Sequence, residues 1–143
     1  MKEQGKFKEL KILGFNESGE WMLNFKKLIL KLNKNVETRD GNVLYAFIGG
    51  DSNEILYIGQ TSMGLAKRMT GYKTPGRTQV TNKRVNGFIK EYLKSNKIKI
   101  YSFIDEDDQR NYKGFDVNIV AGLEGSVISK TKPKWNKQGN SKT

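Results

Sequence analysis

Two tyrosines and an arginine have the side-chain types and the spacing that phosphate chemistry needs. Tyr45 and Tyr57 lie in two segments of β-branched and aromatic residues, which flank the turn-forming stretch 49–53. This pattern predicts an antiparallel hairpin with the two tyrosines near one another. Arg68 follows on a short predicted helix, and its planar guanidinium could engage a phosphate through two donors while staying charged. Ordinary strand packing for the tyrosines and a solvated surface charge for the arginine are the alternatives.

The sequence contains no histidine and no cysteine, which excludes several common kinds of site. There is no imidazole base and no histidine-ligated zinc, and there is no thiolate nucleophile or disulfide. Acid–base or metal chemistry must therefore come from Asp, Glu, Tyr and Lys side chains.

Glu124 is a candidate carboxylate near the apolar face of the last predicted helix. Gly122 and Gly125 flank it, and each weakens the helix by roughly 1 kcal/mol relative to alanine. Close packing or the approach of a substrate would explain why two glycines that weaken the helix flank this glutamate. Gly59, at the end of the second tyrosine segment, would likewise let a backbone or a phosphate come close. An ordinary exposed helix residue is the alternative for Glu124.

The charge of the chain is positive and unevenly distributed. The net charge is +11, from 26 basic and 15 acidic residues. Residues 1–61 are nearly balanced, whereas residues 62–101 carry ten basic side chains against Glu91 alone. A phosphate backbone is the partner that this distribution predicts, with a general lysine bias of the composition as the alternative. The basic residues that we expect to contact nucleic acid are Lys67, Lys73, Arg77, Lys83, Arg84 and Lys90.

Length and hydropathy indicate one domain that is not a membrane protein. The chain has 143 residues, which is about the size of a single domain with a modest core. Its first ten residues are of mixed charge and lack the apolar stretch of a signal peptide, and no apolar run approaches the length of a membrane span. We therefore expect a cytoplasmic protein.

Apolar periodicity predicts an α+β fold, with a small antiparallel sheet of three to four strands flanked by helices. Within the hairpin, alternation predicts that Tyr45 and Phe47 share one face and that Ile55 and Tyr57 share one face. The strands are predicted at 10–12, 43–48, 55–59 and 97–104, and the helices at 20–32, 65–70, 82–95 and 117–130.

Residues 43–72 resemble the core of the GIY-YIG nuclease family. The sequence reads Leu44-Tyr45 and then Leu56-Tyr57-Ile58-Gly59, followed by Arg68 and Tyr72. The resemblance extends to Asn136 and covers about two thirds of the chain. It implies that the first tyrosine activates or orients the attacking water, that the second binds near the scissile phosphate, and that the arginine stabilises phosphoryl charge. It further implies that Glu124 binds one divalent metal and that Gly59 and Asn136 are structural.

Two positions depart from the family pattern. Val43 and Leu44 stand where the family has glycine and isoleucine, although the tyrosine spacing is retained. Many members also carry a histidine after the arginine, and Tyr72 with Lys73 occupies that region here. Either Tyr72 or Lys73 takes the place of the histidine, or the activity is reduced.

The resemblance implies a metal-dependent DNA endonuclease that hydrolyses phosphodiester bonds in double-stranded DNA. Mg²⁺, with Mn²⁺ as a substitute, suits a site with a single carboxylate. In its length and in the segments added to the core, the chain is similar to compact type II restriction enzymes of this family, which dimerise. A freestanding homing or repair-type nuclease and a catalytically silent nucleic-acid-binding module are the alternatives.

The same resemblance divides the chain into functional segments. These are an N-terminal arm (1–42), a core hairpin and helix (43–73), a basic insertion (74–96), and a strand, acidic loop and metal-binding helix (97–136). Asn82 and Asn86 lie four residues apart on the predicted inserted helix, beside Arg84. Amides and guanidinium groups recognise adenine and guanine edges, so these three residues are candidate base contacts. Contact with phosphates alone is the alternative.

Overall fold

The computed structural model describes residues 2–37, 41–107 and 109–137. Five strands form one antiparallel sheet in the order β2-β1-β5-β3-β4, and β6 and β7 form a separate hairpin. The elements in chain order are α1 (Lys2–Leu13), β1 (Asn16–Asn24), β2 (Lys27–Leu32), α2 (Lys34–Glu37), β3 (Val43–Gly49), β4 (Glu54–Thr61), α3 (Leu65–Lys73), α4 (Val80–Leu93), β5 (Ile98–Phe103), β6 (Asn111–Tyr112), β7 (Phe115–Asp116) and α5 (Ile119–Thr131).

Helices cover both faces of the five-stranded sheet. On one face, α3 and α4 pack against Tyr45, Phe47 and Tyr57 through side chains such as Met69 and Ile89. On the other face, α1 and α5 pack against a second core cluster that contains the alternate strand residues Leu44, Ala46 and Ile58. The α+β class is therefore confirmed, and the two candidate tyrosines of the hairpin lie on the face that α3 and α4 cover.

The N-terminal segment is a helix, and the strand predicted at 10–12 is wrong. α1 turns Phe7 and Leu10 into the core, a spacing of three that suits a helical face. The helix ends at Gly14, whose φ of 127° is costly for other residues, and the N–H groups of Gly14 and Phe15 both donate to the Leu10 carbonyl. The prediction failed because it considered only the two apolar residues Leu10 and Ile12 and not the aromatic residue one turn earlier, Phe7.

Residues 20–32, predicted as a helix, belong to the hairpin of β1 and β2. Trp21 pairs with Leu30 and Leu23 pairs with Leu28, so apolar residues two apart face the core. The turn places Phe25 at a φ of 58°. The apolar residues of this segment also fit a helical spacing. The segment is a strand because β1 pairs with β5. This hairpin raises the sheet from the predicted three or four strands to five.

The remaining predicted elements are confirmed with shifted ends. The hairpin of β3 and β4, the helices α3, α4 and α5, and the strand β5 all occupy the expected segments. A bulge between Phe47 and Ile48 leaves Leu56 as an extra residue on β4. Ile55 therefore faces the second core cluster while Tyr57 faces the first, and the expectation that they share a face is wrong.

The acidic segment before α5 contains the short β6–β7 hairpin rather than loop alone. Asp105 accepts a hydrogen bond of 2.6 Å from the Nε of Arg110, which stabilises the start of this segment. Among the described helices, none has the length and apolar character needed to cross a membrane.

Candidate active site

Tyr45 lies directly across from Gly59 in the hairpin, and its ring covers the glycine. A methyl group at Gly59 would come within 2.5 Å of the Tyr45 hydroxyl oxygen and 2.6 Å of Cζ. The glycine is therefore required by a side chain of the protein itself. The rings of Tyr45 and Tyr57 lie 6.4 Å apart, so the hairpin brings the two tyrosines together.

We expect Gly59→Ala to disturb both stability and the site, because the added methyl group must displace the Tyr45 ring. Overpacking of this kind costs roughly 1–3 kcal/mol of unfolding free energy. Gly87→Ala is a matched control: it lies on α4 with no neighbouring heavy atom within 4 Å of the new methyl group, and should stabilise the helix by roughly 0.5–1 kcal/mol. Urea denaturation measures both. Equal stability of the two variants would contradict the close approach.

Three tyrosine hydroxyls and one guanidinium form a connected cluster. Arg68 donates from Nε to the Tyr45 hydroxyl at 3.1 Å and from Nη2 to the Tyr72 hydroxyl at 2.7 Å. The hydroxyls of Tyr45 and Tyr72 lie 2.6 Å apart, and Tyr72 donates to Tyr57 over 3.4 Å. Since the single proton of Tyr72 goes to Tyr57, Tyr45 must donate to Tyr72. The Tyr57 hydroxyl thus keeps its own proton available for another acceptor.

The burial of these three tyrosines decreases toward Tyr57. Tyr72 is 0% exposed, Tyr45 is 1% exposed and Tyr57 is 8% exposed. Burial raises the pKa of Tyr45 well above its ordinary value, and the positive charge of Arg68 offsets only part of the effect. Burial and the neighbouring hydroxyls raise the pKa of Tyr72 further. Both residues are therefore neutral phenols near pH 7.

Asn82 is the third hydrogen-bond partner of the Arg68 guanidinium. Its Oδ1 accepts from the Nη1 of Arg68 at 3.1 Å, and its own Nδ2 donates to the Gln79 Oε1 at 3.0 Å. Gln79 also accepts from the Gly76 N–H at 2.8 Å, which ties the loop before α4 to the arginine. Asn82 was expected to contact bases, but its amide is engaged within the protein. Local spacing gives no signal for a contact between residues 68 and 82.

The Arg68 guanidinium stays protonated and positively charged in this position. Its side chain is half-buried, and the guanidinium lies 4.2 Å from the centre of the Tyr72 ring. Burial acts to lower the pKa of Arg68, but the surrounding tyrosine hydroxyls outweigh it and raise the pKa above its ordinary value. Three of the five N–H groups of a guanidinium are used by Tyr45, Tyr72 and Asn82. One N–H on each terminal nitrogen is left for a ligand.

Three further candidate residues near the cluster, Lys73, Arg84 and Asn86, differ in whether they bond to the protein or face solvent. The Asn86 amide donates to the carbonyls of Tyr72 at 2.7 Å and Lys73 at 3.3 Å, and so caps the end of α3. The Lys73 side chain is exposed to solvent. Arg84 donates from Nη2 to the Trp135 carbonyl at 3.3 Å. Asn86 and Arg84, like Asn82, are thus engaged inside the protein, and their proposed contact with bases stays a prediction.

The segment after α5 is bonded to the outer edge of β4. The Asn136 side chain accepts from the Ile58 N–H at 2.9 Å and donates to the Ile58 carbonyl at 2.8 Å. The main-chain N–H groups of Lys134 and Trp135 donate to the carbonyls of Ile55 and Leu56. Asn136 therefore fixes the residue between Tyr57 and Gly59.

Glu124 lies on α5, which packs on the opposite face of the sheet from the tyrosines and contacts β4. Its side chain is half-buried and makes no hydrogen bond or ion pair within the described part of the chain. Burial raises the pKa of its carboxyl group above the ordinary value. A half-buried carboxylate without a partner fits a cation ligand, since a bound cation would supply the missing charge.

The glycines beside Glu124 do not pack closely. A methyl group at Gly122 or Gly125 would have no described neighbour within 4 Å, apart from the backbone of its own helix. Close packing, one of the two explanations offered for these glycines, is therefore not found, and open space lies beside positions 122 and 125. Over residues 2–37, 41–107 and 109–137, no group of three or more Asp and Glu side chains is placed to hold a metal. A metal would thus depend on Glu124 with water and substrate oxygens.

The expected phosphate contacts lie on the same side of the sheet as Arg68. They belong to α3, α4 and the loop between these helices. Arg84 and Lys90 are half-buried, and the exposed residues of the set are Lys67, Lys73, Arg77 and Lys83.

The structure is similar to two solved nucleases over most of its length. It matches a glutamate-to-alanine mutant of bacteriophage T4 EndoII with a TM-score of 0.63 and 22% identity, covering 92% of this chain and 98% of that one. It matches the restriction endonuclease Hpy188I, in complex with product DNA, with a TM-score of 0.51 and 20% identity, covering 95% of this chain and 84% of that one. The fold is that of the GIY-YIG nucleases.

The GIY-YIG fold accounts for the sheet and for the helices on both of its faces. No protein-family model matches the sequence, and the search of curated proteins gave no match. The resemblance stated from the tyrosine segments is thus confirmed by the structure. The GIY-YIG fold here contains the β1–β2 hairpin and the polar connection from Arg68 through Asn82 to Gln79, neither of which the sequence reasoning identified.

Proposed function

We propose that this chain is a divalent-metal-dependent endonuclease that hydrolyses phosphodiester bonds in double-stranded DNA. The observation that carries the proposal is the guanidinium of Arg68, which three side chains hold in place while two of its N–H groups stay free. Two such donors on one planar group match two oxygens of a phosphate. Preorganised donors of this kind stabilise charge that develops in a transition state.

The tyrosines have distinct tasks in this proposal. The Tyr57 hydroxyl, whose proton is free and which is the most exposed of the three, donates to an oxygen of the scissile phosphate. Tyr45 holds the Nε of Arg68 and keeps one lone pair with which it orients the attacking water. Tyr72 connects the other two hydroxyls, and its full burial argues against it as the substitute for the family's histidine. Lys73 is exposed and is the remaining candidate for that task.

Glu124 would hold the divalent cation. A single carboxylate suits Mg²⁺, with Mn²⁺ as a substitute, because Mg²⁺ keeps several waters and binds through one or two carboxylates and substrate phosphate oxygens. When bound, the cation would neutralise charge on the phosphate and make a water molecule more acidic. The open space beside Gly122 and Gly125 leaves room for DNA to approach this carboxylate.

A type II restriction-like role is the finer form of the proposal, and likeness to Hpy188I supports it. The engaged amides of Asn82 and Asn86 favour a freestanding nuclease with little base recognition. Incubation of the pure protein with plasmid DNA and Mg²⁺, followed by sequencing of the ends, tests both. Cuts in both strands at one fixed sequence indicate the restriction-like role, and dispersed nicks indicate the other. No cleavage with either Mg²⁺ or Mn²⁺ would overturn the endonuclease proposal.

We expect Tyr45→Phe to lower the single-turnover cleavage rate by about 10- to 100-fold. The change leaves the Nε–H of a half-buried arginine without its acceptor, and a hydrogen bond to a charged group contributes about 1.5–3 kcal/mol. Tyr57→Phe should cause a smaller loss through weaker phosphate positioning. Tyr92→Phe is the control, because its hydroxyl bonds to Glu54 at 3.3 Å outside the cluster. A Tyr45→Phe rate equal to that of the control would mean that Tyr45 only packs.

A further inference from the structure

An open groove separates the tip of the β1–β2 hairpin from the ends of two helices of the site. It has a volume of about 560 Å³ and includes Asn24, residues of β2 and Thr74 in its walls. Four lysines also line it, and no acidic residue does: Lys26, Lys27, Lys73 and Lys90. We call these four residues and the space between them the lysine groove. Residues 26 and 27 belong to the nearly balanced segment 1–61, so only the fold reveals this concentration of charge.

Within the described part of the chain, no acidic side chain neutralises the charges of the lysine groove. None of its four lysines forms an ion pair with a residue in the described ranges. Other surface lysines do so, with nitrogen–oxygen distances of 3.1–3.6 Å: Lys94 with Glu91, Lys99 with Glu17, Lys130 with Glu9 and Lys134 with Glu54. Four like charges around one concave surface attract a polyanion more strongly than dispersed charges do.

An exposed aromatic residue, Phe25, lies in sequence between Asn24 and Lys26, which both line the groove. Phe25 is 93% exposed at the hairpin turn and adopts a φ of 58°, which is rare for a bulky residue. The turn places this ring next to Lys26 in sequence and holds it away from the core. Exposed aromatic rings beside lysines are suited to nucleic acids, because the lysines bind phosphates and the ring packs on sugars and base edges.

We propose that the lysine groove and Phe25 form a contact surface for the DNA backbone beside the cleavage site. Lys26 and Lys27 bind phosphates from the hairpin side, and Lys73 and Lys90 bind them from the helix side. Lys73 is the last residue of α3, the helix that also carries Arg68 and Tyr72, so one wall of the groove belongs to a helix of the site. This inference rests on the proposed function and adds the β1–β2 hairpin to the DNA interface.

The test measures binding of a short DNA duplex by fluorescence anisotropy over a range of salt concentrations, without metal so that nothing is cut. Each phosphate contact contributes about −0.9 to the slope of log K against log salt. The double variant Lys26→Gln/Lys27→Gln should therefore weaken binding and make the slope shallower by about 1–2. Phe25→Ala should weaken binding roughly fivefold or more with the slope unchanged, because it removes packing and no charge.

Matched controls come from α1, on the opposite face of the sheet. Lys8→Gln/Lys11→Gln removes the same charge, and Ile12→Ala truncates another exposed apolar side chain that is 78% exposed. Hairpin variants that bind like these controls would overturn the inference, while wild-type cleavage would leave the endonuclease proposal intact. A second copy of this chain is the alternative occupant of the groove, and light scattering tests for it by measuring the oligomeric state. A hairpin variant that changes the oligomeric state without changing DNA affinity would also overturn the inference.

Discussion

Glu124→Gln should reduce cleavage of DNA below detection at any concentration of Mg²⁺ or Mn²⁺. The described residues offer no cluster of acids that could hold the cation instead. DNA affinity should be unchanged or higher, because the substitution removes a negative charge that repels phosphates. The half-buried side chain has no hydrogen-bond partner to lose within the described chain, so folding should be retained.

The matched control for this variant is Glu20→Gln, which removes the same charge from β1 at another half-buried position. It should cleave DNA at the wild-type rate. Binding is measured by anisotropy and cleavage by gel electrophoresis over a metal titration. Metal-dependent cutting that persists in Glu124→Gln would remove this glutamate from the mechanism.

Arg68→Ala should lower the cleavage rate at saturating DNA by roughly 10²–10³-fold, the loss expected when a preorganised donor to developing charge is removed. Arg68→Lys should restore little of the rate, because a lysine cannot bond to Tyr45, Tyr72 and Asn82 and still present two donors. Single-turnover kinetics at saturating DNA provide the measurement.

Lys90→Ala is the control that separates catalysis from general affinity. It removes one charge from the lysine groove and should weaken binding with a shallower salt dependence. Its rate at saturating DNA should stay near that of the wild type. If Arg68→Ala and Lys90→Ala gave the same profile, Arg68 would be one more phosphate contact of the surface.

The sequence allowed the central hairpin to be predicted better than the framework around it. Tyr45 and Tyr57 lie in short segments with dense apolar content on either side of a glycine-containing turn, so local pattern was sufficient to predict that their strands pair in a hairpin. The segment 20–32 fits both a helical and an alternating pattern, and only its pairing with β5, some 80 residues away in sequence, decides between them. Local periodicity contains no information on such a partner.

The hydrogen bonds between Arg68 and its polar neighbours could not be predicted from the sequence either. Asn82 looked like a base contact because an asparagine on a basic helix has the right chemistry for it. The structure turns its amide toward Arg68 and Gln79, which the packing of α3 against α4 determines. The bulge at Phe47 similarly reversed the face of Ile55, since one extra residue shifts the alternation of a strand.

The hydrogen bonds between residues 134–136 and β4 have a consequence for solubility. β4 is the last strand of the sheet, and its outer carbonyl and N–H groups would otherwise be open to pairing with another molecule. Lys134, Trp135 and the Asn136 amide occupy these groups as a short sixth strand would. A chain cut back to Lys132 would therefore present a bare strand edge, and self-association through intermolecular sheets would compete with folding of the domain.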